Sequence, residues 1–180
     1  MTIFRGARAG LIASGVLMLG LSCFPAAVSH AASVNHPVML VNDKTGKCLT
    51  IAGGETTANN VDAVQFNCDS DPSRSWMLRE MDGGNDYQIR NVRTGKCLTI
   101  AGGTVSDNNV HLLQFDCDNE QSRRWIIRDV TGSGIHQIRN AKTGKCATIA
   151  GGTVSDNNVP GVQFDCDEDT SRRWRIRLKL

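Results

Sequence analysis

The sequence lacks any long apolar run after Leu21, and before it there is only one, from Ala9 to Leu21. That run follows Arg5 and Arg8 and is too short to span a bilayer once its small and polar residues are discounted, so it reads as an export signal and not as a membrane anchor. Small residues at Ser29 and Ala31 set cleavage after Ala31, with Ala32 the alternative. Residues 1–31 are therefore expected to be a signal peptide, 32–37 a short N-terminal segment, and the mature protein secreted and extracellular, without membrane insertion. Gly20 stands where a lipobox would carry a branched aliphatic residue, which argues against a lipid anchor on Cys23.

Net charge is the second absence. Setting aside Arg5 and Arg8 leaves 18 Lys and Arg against 18 Asp and Glu. A neutral chain has no concentrated positive field with which to displace counterions, so neither nucleic acid nor an anionic membrane surface is expected as a partner. Paired C-x-x-C ligands are missing too, which removes the usual structural zinc site. There is no G-x-S-x-G or H-E-x-x-H, and His36, His111 and His136 do not recur at a fixed spacing. Catalysis is not expected, and no cofactor or metal is implied. The run Asp165-Cys166-Asp167-Glu168-Asp169 alternates carboxylates but lacks the sixth-place Gly and twelfth-place Glu of an EF-hand loop, so a solvated strand end accounts for it. Two acids could form a glycosidase pair, but acids repeated three times read as structural.

What the sequence does contain is one unit written three times. Cys48, Cys97 and Cys146 are spaced 49 residues apart, as are Cys68, Cys117 and Cys166, and Trp76, Trp125 and Trp174. The second copy reads GKCLTIAGGTVSDNNV from Gly95 and the third GKCATIAGGTVSDNNV from Gly144, while the first, GKCLTIAGGETTANNV from Gly46, is the same text slightly worn. The copies fill 38–86, 87–135 and 136–180. About 150 residues is one domain's worth of chain, and a monomer is expected.

Within a copy the apolar residues come in strand-length runs, such as 87–89, 97–100, 112–115 and 125–127, separated by turn signals at Thr94-Gly95, Gly102-Gly103, Asp107-Asn108-Asn109 and Gly132-Ser133-Gly134. No sustained helical period appears. Four strands per copy predict about twelve in all, an all-β domain with threefold pseudosymmetry. Propellers take four or more blades, whereas three copies can close a barrel and remove exposed edges, so the β-trefoil is the expected architecture.

Six cysteines remain after cleavage, and six allow fifteen pairings. The repeat favours a bond within each copy: Cys48 with Cys68, Cys97 with Cys117, Cys146 with Cys166. An export signal and paired cysteines agree on an oxidising compartment.

The run TGKCLTIAGG, an Asn-rich turn, VQF-x-C and a Trp eight residues past that Cys resembles the ricin B-type lectin repeat of secreted bacterial carbohydrate-binding modules. The resemblance covers nearly all of the mature chain. It implies a β-trefoil in which each repeat can hold one shallow sugar site, with glycans or polysaccharide as partners. In that family an Asp two residues past the first Cys accepts sugar hydroxyls, an aromatic two residues before the second Cys stacks on the ring, and an Asn near the repeat's end adds a contact. The matching positions here are Thr50, Thr99 and Thr148, then Phe66, Phe115 and Phe164, then Ser73, Ser122 and Ser171. Only the aromatic survives in kind, and a hydroxyl cannot offer the two charged oxygens of a carboxylate.

The same residues have ordinary structural readings. Phe in a strand is commonly core. Alternation sets Val64, Phe66 and Cys68 on one face and Gln65 and Asn67 on the other. Where the family has the Gln of Gln-x-Trp, this chain carries Arg74, Arg123 and Arg172, and Asp69, Asp118 and Asp167 are the natural counterions for an internal pair. Trp76, Trp125 and Trp174 are expected in the core. Two functions follow: a glycan-binding lectin with up to three equivalent weak sites, or a secreted trefoil that binds protein as an inhibitor or adhesion-type partner with its sugar sites degenerate.

Overall fold

The computed structural model of the protein describes residues 36–179. The expected signal peptide and residues 32–35 lie outside the described residues. The first repeat supplies β1 (Val38–Asn42), β2 (Cys48–Ile51), β3 (Val61–Phe66) and β4 (Trp76–Glu80). The second supplies β5 (Asp86–Asn91), β6 (Cys97–Ile100), β7 (Leu112–Phe115) and β8 (Trp125–Asp129). The third supplies β9 (Ile135–Asn140), β10 (Cys146–Ile149), β11 (Gly161–Phe164) and β12 (Trp174–Leu178). The twelve strands match the apolar runs of the sequence. A single 3₁₀ turn in each repeat, at 72–74, 121–123 and 170–172, is an addition that a search for helical periods over longer windows does not reveal.

Six strands close a ring. β1 pairs with β4 and β12, β4 with β5, β5 with β8, β8 with β9, and β9 with β12, all antiparallel. Closure leaves the barrel no free edge. The hairpins β2–β3, β6–β7 and β10–β11 form a cap, joined to one another by β3–β7 pairing and by bridges Val64–Pro160 and His111–Val162. This is a β-trefoil.

The tryptophans tie barrel to cap. Each sits at the start of its barrel strand, fully buried, and its Nε1 donates to a carbonyl of a cap strand: Trp76 to Leu49, Trp125 to Leu98, Trp174 to Ala147, each at 2.9 Å. A buried indole thus keeps its one donor satisfied while filling the core. Where the repeats converge, small and large residues alternate by copy: Ala63, Leu112 and Gly161 share one position of the repeat. A methyl on Gly161 would lie 3.2 Å from the Ala63 carbonyl oxygen, 3.2 Å from Leu112 Cδ1 and 3.3 Å from Leu49 Cδ1. Leu112 therefore occupies the space that glycine vacates.

Two side-chain clasps run from repeat to repeat. Buried Asn42, Asn91 and Asn140 donate through Nδ2 to the carbonyls of Ser171, Ser73 and Ser122, so each holds the 3₁₀ turn of the preceding repeat. Buried Gln65 donates to Val154 and Asp156, Gln114 to Thr56 and Ala58, and Gln163 to Val105 and Asp107, all backbone carbonyls of another repeat's loop. The glutamines thus serve the interior, on the opposite strand face from their half-exposed Phe neighbours. Three disulfides, Cys48–Cys68, Cys97–Cys117 and Cys146–Cys166, close each copy on itself with Cα atoms 5.1 Å apart, the pairing favoured by the repeat. Among the described residues no helix is long and apolar enough to cross a membrane.

Candidate functional site

Each repeat builds the same cleft between the end of its second strand, the end of its third, and the 3₁₀ turn. In the first repeat Asp71, in extended backbone, accepts the Ser73 N–H on Oδ1 at 2.8 Å and caps the turn, whose first residue is Pro72. Pro fits there because its missing N–H has no helical acceptor to lose. The turn points Ser73 inward, where its carbonyl takes hydrogen bonds from Thr50 Oγ1 at 3.0 Å and Asn91 Nδ2 at 2.7 Å. Opposite the turn, Gly53 and Gly54 sit at φ of +71° and +70°, a backbone that other residues rarely adopt. Phe66 ends β3 and forms the wall.

The sequence-derived positions converge. Thr50, Phe66 and Ser73 line the first cleft, Thr99, Phe115 and Ser122 the second, and Thr148, Phe164 and Ser171 the third, with volumes of about 350, 310 and 280 Å³. Their roles differ within the cleft. The Thr and Ser residues are floor: none is more than 5% exposed, and Thr50, Thr99 and Thr148 each donate their hydroxyl to the carbonyl of Ser73, Ser122 or Ser171. The phenylalanines are neither core nor bare platforms. They are half-buried, and a guanidinium lies over each ring: Arg74 over Phe66 at 4.5 Å, Arg123 over Phe115 and Arg172 over Phe164 at 4.4 Å.

The same arginines reach the acids next to the second Cys. Arg74 Nε lies 3.3 Å from Asp69, Arg123 Nη1 2.9 Å from Asp118, and Arg172 Nε 3.3 Å from Asp167. The arginine side chains are 12–13% exposed and the aspartates about half exposed, so the charges are shielded on one side only. The alternating carboxylates of 165–169 are each accounted for: Asp165 bonds Lys145 and Asn108, Asp167 pairs with Arg172, and Asp169 caps the third turn.

Two sets of lining residues are not among the site positions read from the sequence. One is the acid at the head of the turn, Asp71, Glu120 and Asp169. The carboxyls of Asp71 and Asp169 are held below the usual value of 3.8, chiefly by the backbone N–H of Ser73 and Ser171 and then by those serines' side chains. Glu120 makes no such capping bond. An acid two residues before the Ser was visible in all three copies and was the available signal. The other set is Asn158, Asn60 and Asn109, left-handed at φ of 65°, 64° and 64°, each reaching the cleft of another repeat. Their Asn-Asn-Val text marks a turn, but nothing in it says which repeat the turn will face.

The family described as ricin-type beta-trefoil lectin domain-like matches over residues 30–115 and 81–164. No curated protein sequence matches. Among solved structures the chain is similar to the designed threefold symmetric protein ThreeFoil, with TM-score 0.74 and 17% identity over 80% of this chain and 99% of that one. It is similar to an exo-β-1,3-galactanase of Clostridium thermocellum, with TM-score 0.74 and 23% identity, covering 80% of this chain and 30% of that longer one. A Macrolepiota procera ricin B-like lectin, solved with lactose, gives TM-score 0.67 and 17% identity over 81% and 96%. At these identities the likeness is one of fold. With the family matched over most of its length and the barrel closed by three copies of one unit, the chain belongs to the ricin-type β-trefoil lectin-like family.

Proposed function

We propose that the protein is a secreted, monomeric, non-catalytic lectin whose three clefts each take one saccharide unit of a glycan or polysaccharide. The observation that carries this reading is the cleft itself, made three times from the same positions: an aromatic wall, a carboxylate, a glycine pair and an asparagine from another repeat. A sugar presents an apolar C–H face and a rim of hydroxyls, which is what an aromatic beside fixed acceptors recognises. The Thr residues are buried in the floor with their hydroxyls bonded to the turn, so the acceptor role falls to the turn acids. Asp71 uses Oδ1 on Ser73, and its other oxygen remains to accept a hydroxyl. One shallow site of this kind supports millimolar binding, about 4 kcal/mol. Three on one rigid body can raise avidity on a polymer by roughly a hundredfold without a new contact.

The guanidinium over each Phe favours one other reading, a trefoil that binds protein with its sugar sites degenerate, since that cation occupies aromatic surface a sugar would otherwise cover. A glycan array with the oxidised mature protein separates the two. Saturable sugar binding is the expected result; a blank array from protein that retains its fold favours the protein partner.

A further inference from the structure

Three places related by the repeat lie where a barrel hairpin meets the loop after the second Cys, and each treats its positive charge differently. The residues that share this position are Ser75, Arg124 and Arg173. Arg124 is enclosed by Asp82 and Asp86 and its side chain is 15% exposed. At Ser75 the space is taken by Lys179, whose Nζ donates to Ser75 Oγ at 2.9 Å and to the Ser70 carbonyl at 2.6 Å. At Arg173 neither solution is present. The counterpart of Asp82 is Thr131 and that of Asp86 is Ile135, so both carboxylates that enclose Arg124 are missing. Arg173 Nε, like Arg124 Nε, is buried without a hydrogen-bond partner among the described residues, so what sets Arg173 apart is the missing carboxylates.

Arg173 lines an open cleft of about 480 Å³, larger than any of the three repeated ones, together with Arg128 and Gln137 of the β8–β9 hairpin. Three acids also line it, and two are committed elsewhere. Asp129 accepts the N–H groups of Thr131 and Gly132 on one oxygen and of Gly134 on the other. Asp167 accepts the Asp169 N–H at 2.9 Å and faces Arg172. Hydrogen bonding does not remove the charge of Asp129, so Asp129 and Glu168 both stand against Arg128 and Arg173 in the cleft. Gln137 donates Nε2 to the Asp167 carbonyl at 2.6 Å, which leaves its side-chain oxygen to accept a hydroxyl.

We infer that this cleft is a second kind of binding site, for a carboxylate-bearing sugar such as a uronic acid unit of a polysaccharide, held by Arg173 and Arg128. A planar guanidinium without its own counterion matches a carboxylate in two parallel hydrogen bonds. The saccharide source is favoured over an acidic peptide because one loop borders both places, with Cys166, Asp167 and Glu168 lining this cleft and Asp169, Ser171 and Arg172 the third sugar cleft. In that respect the inference rests on the lectin reading.

The test is calorimetric titration of the mature, disulfide-bonded protein with oligogalacturonate, with the same oligomer methyl-esterified, and with polyglutamate. The acid oligomer is expected to bind about tenfold tighter than its ester, the worth of one charge-assisted contact. Arg173→Gln should abolish that preference, the acid losing more affinity than the ester. Thr131→Asp, which supplies the carboxylate that Asp82 gives Arg124, should do the same, and Glu168→Gln should strengthen acid binding. The last two variants keep the test open if Arg173→Gln fails to fold. Equal binding of acid and ester, or a preference that survives Arg173→Gln, overturns the inference alone. Polyglutamate bound with the same Arg173 dependence overturns the saccharide source. Binding of neither oligomer overturns this inference and counts against the lectin reading together.

Discussion

Asn91 of the second repeat donates to the Ser73 carbonyl of the first at 2.7 Å, while its own Oδ1 accepts the N–H groups of Arg93 and Thr94. One buried side chain thus closes its own turn and holds the floor of a cleft that belongs to another copy. Asn91→Ala strands two amides and leaves the Ser73 carbonyl with Thr50 alone as donor, and should cost about 1–3 kcal/mol. Urea denaturation measures it, and a loss below about 0.5 kcal/mol would mean that water replaces the clasp.

Arg123 lies between Phe115 and Asp118. Because the aspartate is 47% exposed, the ion pair is partly screened and the ring contact carries a comparable share. Arg123→Ala should destabilise by about 1–3 kcal/mol. In a double-mutant cycle with Asp118→Ala the coupling should be about 0.5–1 kcal/mol, smaller than for a fully buried pair. Strictly additive effects would assign the whole loss to the ring.

The glycine at 161 and the leucine at 112 are complementary. Gly161→Ala should cost about 1–3 kcal/mol through crowding against Leu112 and the Ala63 carbonyl. In a Leu112→Ala background the same change should cost less, because one of its three close neighbours is gone. Equal costs in both backgrounds would place the strain on the backbone contact instead.

Acid should loosen the first and third turns. The carboxyls of Asp71 and Asp169 have folded values below 3.8, so their contribution to stability is complete above that value and fades as pH falls through the lower folded ones. Asp71→Asn with Asp169→Asn should therefore lower the melting temperature near neutral pH and flatten the further decline below about pH 4. Parallel profiles for variant and parent would show that the caps contribute nothing.

Replacing Phe66, Phe115 and Phe164 by Ala one at a time, with folding checked by circular dichroism, should lower retention on a polysaccharide column with each loss, because avidity multiplies rather than sums. A folded triple variant that binds like its parent would move the sugar site away from these clefts.

The strands, their number and the disulfide pairing were legible because each is a property of one unit seen three times. Strand alternation also set Val64 and Phe66 on one face, and both line the first cleft. What a repeat cannot say is which copy meets which. Asn158 reaches the cleft of Phe66 across more than ninety residues, and Gln65 finds its acceptors at Val154 and Asp156. Those contacts depend on the handedness of the closed ring and not on the text of any unit. The arginines show the other limit. Charge predicted their pairing with Asp69, Asp118 and Asp167, but the stacking on Phe needs the two side chains brought within 4.5 Å by a strand end and a turn. The contrast among Ser75, Arg124 and Arg173 emerges only when the three places are superposed.

Because β1 runs beside β12, with Val38 opposite Leu178, the described chain's two ends meet in the barrel wall. The order in which the repeats are read is then a matter of where the backbone happens to be cut. Linking residue 179 to residue 37 and opening the exposed turn at 131–134 would keep every strand pair of the barrel and every clasp between copies. Such a molecule would read third, first, second along its chain and present the same clefts in the same places.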